Sequence, residues 1–581
     1  MKKRILSLVL VSLLVFSLAA CGSSNAPAET KTETKTETKT ETKTETKTET
    51  KTEAPTIGAA ATEVLENTAS GVLAGGLTVN DDHGIDLDSL SKGLTITVAN
   101  ETEISATSPF SAGAGKNQTR FLIYDNLAVM RYPGGDVADM DWIMAKDIVQ
   151  VDRDTYEIEI YDYIYDTAGR NITADDVVFS FNALVESGAS GKFNSHLGSI
   201  EKIGDYKLRL VIKDNALGIA QYMLQHCHIV NQESYESQSD SERVTCPISS
   251  GPYYISDYIA GGRVTLKRNE NYWQTDKSKL GYNFSGQIDT IDIIIMTEAS
   301  QRAIGLENGS VDLVPSLATE DVGNFMNDDG TAKDGYNVLK VLNSTNTYVE
   351  FNCSEESVCS DINLRLAITY AIDRKGLMDG VFGKGGWLPS NDTSASVLAD
   401  YNPDWTWYEY DVAKAQESLK ASKFNGETLK IICASNNTAK TEAELIQAYL
   451  LAIGINCEIT AFDNALLLEY RDDPTKWDIN IDGGGSSDYC FETWNLIYPH
   501  DANGLNSLLI HDDKAIELMT AASSLDTHSA ETCDAMHQYI YDQCYVIPFG
   551  TSYKYAAATD ELVLWALHPW NYVIFGGCYF K

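Results

Sequence analysis

Leu429-Lys430-Ile431-Ile432-Cys433-Ala434, the run Thr441 to Leu451, and Gly454-Ile455-Asn456-Cys457-Glu458-Ile459 form the passage that decides the fold. The first and last pieces are short apolar runs of strand length. The middle piece spaces its apolar residues with the helical period. Strand, helix and strand in that order need a crossover, so the two strands lie parallel in an α/β sheet. Downstream, Trp477 to Ile481 adds a strand that ends in Gly483-Gly484-Gly485. Upstream, Tyr348 to Asn352 is a strand. Asp361 then caps a helix that carries Leu364, Ala367, Ile368, Ala371 and Ile372 on one face. Asp411 opens another helix.

The pattern continues toward the amino terminus. Leu94 to Val98 reads as a first strand. Tyr156, Ile158 and Ile160 alternate with Glu157 and Glu159, the signature of a half-buried strand. Thr173 with Asp176 three positions on is a capping-box start for a helix bearing Val177, Val178, Phe181 and Leu184. Tyr206 to Ile212 alternates again, and Gly261-Gly262 turns a hairpin into Arg263 to Arg268. Ile291 to Met296 is an apolar strand, and Val311 to Val314 gives a shorter one.

The first residues read as an export signal. Lys2, Lys3 and Arg4 precede an apolar run from Ile5 to Leu18, too short to span a bilayer stably, and Leu18-Ala19-Ala20-Cys21 has the shape of a lipoprotein processing site. Cleavage there would leave Cys21 at the new amino terminus, ready to carry acyl chains. A Lys-Thr-Glu-Thr repeat follows from about Thr30 to Glu53. It holds no large apolar residue and is expected to be a disordered spacer. The formal charge is -39, from 83 acidic against 44 basic residues, which argues against nucleic-acid partners.

Export permits disulfides. Close spacing suggests Cys353 with Cys359, Cys227 with Cys246 and Cys433 with Cys457, although the last two could pair elsewhere. Gln225-His226-Cys227-His228 is rich in ligand types, but zinc needs further partners at fitting spacing and no paired CxxC exists, so no metal site is expected. There is no GxSxG, HExxH, GxGxxG between strand and helix, or GxxxxGK[ST]. No enzyme activity and no cofactor are expected.

Three blocks carry a family likeness. Tyr156-Glu157-Ile158-Glu159-Ile160 is followed by Ile172-Thr173-Ala174-Asp175-Asp176-Val177-Val178-Phe179-Ser180. Ser250-Gly251-Pro252-Tyr253 precedes Val264-Thr265-Leu266-Lys267-Arg268-Asn269-Glu270-Asn271-Tyr272-Trp273. Phe351-Asn352 precedes Asp361-Ile362-Asn363-Leu364-Arg365-Leu366-Ala367-Ile368-Thr369-Tyr370-Ala371-Ile372-Asp373-Arg374. In order and spacing these resemble the extracellular solute-binding proteins of family 5, the oligopeptide and dipeptide binders of ABC importers. The segment Tyr161 to Gly169 departs from the family pattern, and Cys353 and Cys359 decorate the turn after Phe351-Asn352.

The resemblance implies an α/β, two-lobed periplasmic-binding-protein-like fold (type II, cluster C) with an extra domain inserted in lobe I. Carried over, 1–20 is the lipoprotein signal peptide and 21–90 the linker and spacer. Lobe I takes 91–124, 221–338 and 547–581. The insert is 125–220, and lobe II is 339–546. It implies a monomer at the extracytoplasmic face of the cell membrane, anchored through Cys21, that passes a short peptide to ABC permease subunits. A non-peptide solute, such as an oligosaccharide or metal chelate, and a sensory role are the alternatives. Ser487-Asp488-Tyr489 resembles the segment whose aspartate holds the peptide ammonium, a pairing that strengthens in a partly dry cleft. Asp488 is therefore the leading ligand residue. Tyr489, Trp494, Trp387, Trp405, Trp407 and Tyr253 are candidate walls, with packing as the alternative role. Arg365 and Arg374 are expected to be structural.

Overall fold

A computed structural model describes residues 92–581 except 103, 105, 106, 112–117, 131–136, 277, 278, 280–286, 344, 397, 484–488, 499–507, 564, 565, 568–572, 575–578 and 581. Cys21, the Lys-Thr-Glu-Thr tract and Asp488 lie outside the described residues.

In chain order the strands that position the site are β1 (Leu94–Asn100), β2 (Ala145–Asp152), β3 (Thr155–Ile160), β4 (Leu197–Gly204), β5 (Lys207–Ile212), β6 (Tyr253–Ile259), β7 (Arg263–Arg268), β8 (Ile288–Ile295), β9 (Leu313–Leu317), β10 (Tyr336–Leu342), β11 (Thr347–Phe351), β12 (Trp387–Pro389), β13 (Leu429–Ala434), β14 (Cys457–Phe462), β15 (Ile479–Gly483) and β16 (Val546–Thr559). The helices used below are α1 (Ala174–Glu186), α2 (Gly191–His196), α3 (Ile219–His226), α4 (Ile362–Ala371), α5 (Arg374–Phe382), α6 (Asn437–Ala452), α7 (Cys490–Ile497), α8 (Asp513–Ser523) and α9 (Ala530–Gln543).

The expected βαβ unit is present: β13 pairs in parallel with β14 and with β15. Its second strand starts at Cys457, because Gly454 sits at φ +90° and serves the turn after α6. α1 carries the capping box: the Thr173 amide and hydroxyl both donate to the Asp176 carboxylate, at 2.8 and 3.0 Å. The hairpin β6–β7 turns at Gly261 and Gly262 and pairs Tyr253 with Arg268.

Outside 145–212, the long strands of 94–342 and those of 347–483 belong to one sheet, whose path is ordered β14-β13-β15-β11-β16-β9-β1-β8-β7-β6, with β10 and β12 joined to it through β16. The joint is β16. Its first half pairs with β11 and β12, and its second half with β9 and β10. Separate cores lie on either side. One runs through Ile96, Leu266, Ile291 and Val341 and returns at Ala556 and Leu562; the other spans Tyr348 to Phe549. This is the two-lobed arrangement. Residues 145–212 form their own antiparallel sheet, β2-β3-β5-β4, whose inner face (Tyr156, Ile158, Leu208, Leu210) joins the first core.

All nine described cysteines are free thiols, which corrects the three pairings suggested by spacing. Register explains one of them. Cys433 lies opposite Ala461, and Cys457 lies opposite Leu429, so the two are four positions apart along paired strands. That offset is about 13 Å, beyond disulfide reach of about 7 Å. Cys227 is buried after α3, while Cys246 is exposed. Cys353 and Cys359 are both buried. The Cys353 thiol donates to the Phe351 carbonyl at 3.5 Å, and the Cys359 amide donates to Ser357 Oγ.

Candidate functional site

The second lobe meets the 145–226 segment through a short set of contacts. Leu217 N donates to Ser523 O at 3.3 Å, and Ala216 bridges Ser524. Lys192 on α2 pairs with Glu492 on α7, and Arg153 pairs with Asp526. Gly218, at φ +79°, faces the Tyr489 ring. A Cβ added there would lie 3.4 Å from that ring. Tyr489 is thus placed where the lobes touch. Its side chain is 6% exposed and stacks on Phe491 with centroids 5.7 Å apart. Asp488 precedes it in the chain.

The remaining candidate walls are dispersed. Tyr253 lies in the core of the first lobe, fully buried, and its hydroxyl donates to Ile288 O at 2.8 Å. Trp494, Trp405 and Trp407 are packed around one buried polar centre in the second lobe. Asp392 accepts from Trp494 Nε1 at 2.8 Å, from the Ser394 amide at 2.8 Å and from His537 Nδ1 at 3.0 Å. Trp405 stacks on His537 at 4.4 Å and 7°, and Trp407 meets the same ring edge-on at 6.0 Å. Trp405 Nε1 donates to Asp534 at 2.7 Å. Rings committed to such partners offer a solute little surface, so these four follow the packing role. Trp387 is half-buried beside the joint. Its Nε1 donates to Asp379 at 3.0 Å, and its ring would lie 2.9 Å from a Cβ on Gly550.

The two arginines of the third sequence block are cross-ties. Arg365 donates to the carbonyls of Cys544, Cys359, Ser360 and Gln543. Arg374 donates to Pro548 O at 2.8 Å, to Ser390 O and to Asn391 Oδ1. Both tie helices α4 and α5 to the chain entering β16.

A cavity of about 440 Å³ lies at the same meeting of the segments. Val137, Trp142, Gln150, Tyr156, Gln221 and Leu525 are among its lining residues. None of the described residues singled out as binding candidates from the sequence lines it. Its walls come from stretches well separated along the chain, so no local pattern announces it.

Residues 142–515 match the bacterial extracellular solute-binding proteins, family 5 Middle. The chain belongs to that family, whose members bind solutes rather than convert them. It is 26% identical over 330 residues to Heme-binding protein A of Haemophilus influenzae, covering 52% of this chain and 57% of that one. It is 24% identical to the Dipeptide-binding protein of Escherichia coli over 319 residues, covering 51% and 57%. The chain therefore spans somewhat over half the length of these two curated relatives. It is also similar in fold to the ABC transporter substrate binding protein CtaP of Listeria monocytogenes, with a TM-score of 0.72, 18% identity, and coverage of 84% of this chain and 100% of that one.

Proposed function

We propose that this protein captures short peptides between its lobes on the extracytoplasmic face and passes them to an ABC permease. In this reading an acylated Cys21 is the membrane tether. The observation that carries the proposal is the double crossing between two cores, with Tyr489 and its neighbours at the surface where the lobes meet. A body joined by two extended segments can change its lobe angle while each core stays intact. A solute that touches both lobes then shifts the population toward closure. Asp488 and Tyr489 are the proposed peptide contacts, with Trp387 at the joint as a third. Relatives named for dipeptide and oligopeptide binding support the peptide class.

The hinge in this reading lies at Asn343, just after β10, and at Gly550–Ser552 in β16, with Asn343 N donating to Ser552 O at 3.0 Å. The first lobe then ends near 342 and resumes near 553. These limits lie a few residues beyond the 338 and 546 drawn from the family resemblance.

Native mass spectrometry of protein purified without refolding tests the solute class, and a ladder of co-purified short peptides is the expected result. Asp488→Ala should weaken a free-amine peptide at least about tenfold more than its N-acetylated form, since a charge-assisted contact in a partly dry site is worth about 1.5–3 kcal/mol. Equal losses for both peptides would remove Asp488 from the site. The similarity to a heme-binding protein favours a metal chelate as the second reading, and a single co-purified chelate mass would select it.

A further inference from the structure

Asp400, His528 and Cys533 come from two well-separated stretches of the second lobe and converge on one point. Asp400 sits in the loop after β12, His528 in the turn before α9, and Cys533 in the first turn of α9. One donor atom from each lies within 4.8 Å of the others. Cys533 Sγ is 3.7 Å from Asp400 Oδ2 and 3.9 Å from His528 Nδ1. A tetrahedron built on zinc–sulfur bonds of about 2.3 Å and zinc–nitrogen or zinc–oxygen bonds of about 2.0–2.1 Å has sulfur-to-ligand edges of about 3.6 Å. The two sulfur edges therefore need to shorten by only a few tenths of an ångström, while the His528 ring has to turn from the Ala522 carbonyl to aim Nδ1 at the same point.

The three donors are also held in place. Asp400 Oδ1 accepts the Cys490 amide at 2.7 Å, which fixes the carboxylate plane and leaves Oδ2 toward Cys533. The His528 amide donates to Ser524 O at 2.8 Å, and its ring meets Tyr489 at 5.9 Å and 77°. The Cys490 thiol interacts with the same Asp400 carboxylate and is fully buried. It lies outside the 4.8 Å set, and it or a water is the candidate for the fourth position. His528 Nδ1 is also 2.7 Å from Ala522 O. Metal at Nδ1 replaces that hydrogen bond and leaves the ring proton on Nε2.

We propose that Asp400, His528 and Cys533 form a resident site for a borderline divalent cation of the zinc class, completed by Cys490 or water. One thiolate with imidazole and carboxylate suits zinc or cobalt and is a poor set for calcium or magnesium, which take oxygen. Binding expels the Cys533 proton, so affinity rises with pH. The ion would staple the Asp400 loop, the start of α7 and the start of α9. It would thereby stiffen the base on which Tyr489 stands. The site is independent of which solute the lobes enclose, since all its donors are side chains of one lobe.

The test uses the full chain, stripped of metal under reducing conditions and titrated with Co²⁺. The expected result is one equivalent bound, with the intense visible bands of a tetrahedral centre and a thiolate-to-cobalt charge-transfer band. Cys533→Ser should abolish that band and weaken binding more than about 100-fold, beyond the 10–100-fold typical of losing an outer-shell partner. His528→Gln provides a second variant, with circular dichroism to verify its fold, and should weaken binding similarly. Zinc should raise the thermal midpoint of the parent and leave that of Cys533→Ser unmoved. Absence of the charge-transfer band in the parent, binding unchanged in both variants, or a Cys490–Cys533 disulfide in the protein as isolated would each overturn the proposal.

Discussion

At the scale of single residues, the strongest commitments are buried polar groups. Asp392 and His537 form a pair whose side chains are 0% and 6% exposed, enclosed by Trp494 and Trp405. Removing one partner strands the other in a dry site. Asp392→Ala should lower unfolding free energy by about 3–5 kcal/mol, read from urea midpoints. Glu442 on α6 is a different case. Burial pushes its carboxyl up to about 8, so the folded state holds a proton that the unfolded chain releases near 4.5. The folded state then binds more protons between those values, and the group's contribution is fully present at low pH and lost as pH rises through that window. Stability should fall between pH 5 and pH 8 by a few kcal/mol, on the order of 4 at most. Glu442→Gln should flatten that slope in thermal melts recorded at both pH values. Neither feature is legible in the sequence. Asp392 and His537 are 145 positions apart, and nothing local marks them as partners.

At the scale of elements, the quoted blocks acquire physical causes. Gly251 in Ser250-Gly251-Pro252-Tyr253 donates to Ile123 O at 2.8 Å, and a Cβ there would fall 2.5 Å from the Ile123 carbonyl carbon. The obstacle is backbone, which cannot swing aside. Gly251→Ala should cost about 1–3 kcal/mol in urea unfolding, with little change in the solute contacts of the second lobe. Capping and alternation are readable because they are local. Thr173 with Asp176 and the Tyr156–Ile160 alternation both appear as the sequence suggests. The aromatic walls are not readable in that way. A tryptophan that packs on an imidazole and one that faces a solute are spelled the same way, and only the tertiary position of His537 separates Trp405 from a binding residue. The Asp400–His528–Cys533 group stays hidden for the same reason, since Asp400 lies far along the chain from the other two and the three share no motif.

At the scale of the whole molecule, the lobes touch through Lys192–Glu492 and Arg153–Asp526 as well as through Leu217 and Tyr489. The Arg153 pair is solvent-exposed and worth little by itself, about 0.2–1 kcal/mol. The Lys192 pair is better shielded, with the Glu492 side chain 10% exposed. Reversing both cations, Lys192→Glu with Arg153→Glu, should weaken solute binding several-fold. It should also enlarge the radius of gyration of the solute-free protein in X-ray scattering, because like charges would then face each other where the lobes close. An unchanged radius and affinity would mean that these pairs do not hold the lobes together.

The strand Val546–Thr559 comes after every other strand of the large sheet in chain order, yet both halves depend on it. Until the ribosome has delivered it, β9 and β10 lack their shared neighbour, and β11 lacks one of its two. The nascent protein therefore spends nearly all of its synthesis with open sheet edges in both lobes, a state prone to unwanted pairing with other chains. A chain built this way profits from remaining unfolded until it is complete, which is also the condition under which a polypeptide can be threaded across a membrane.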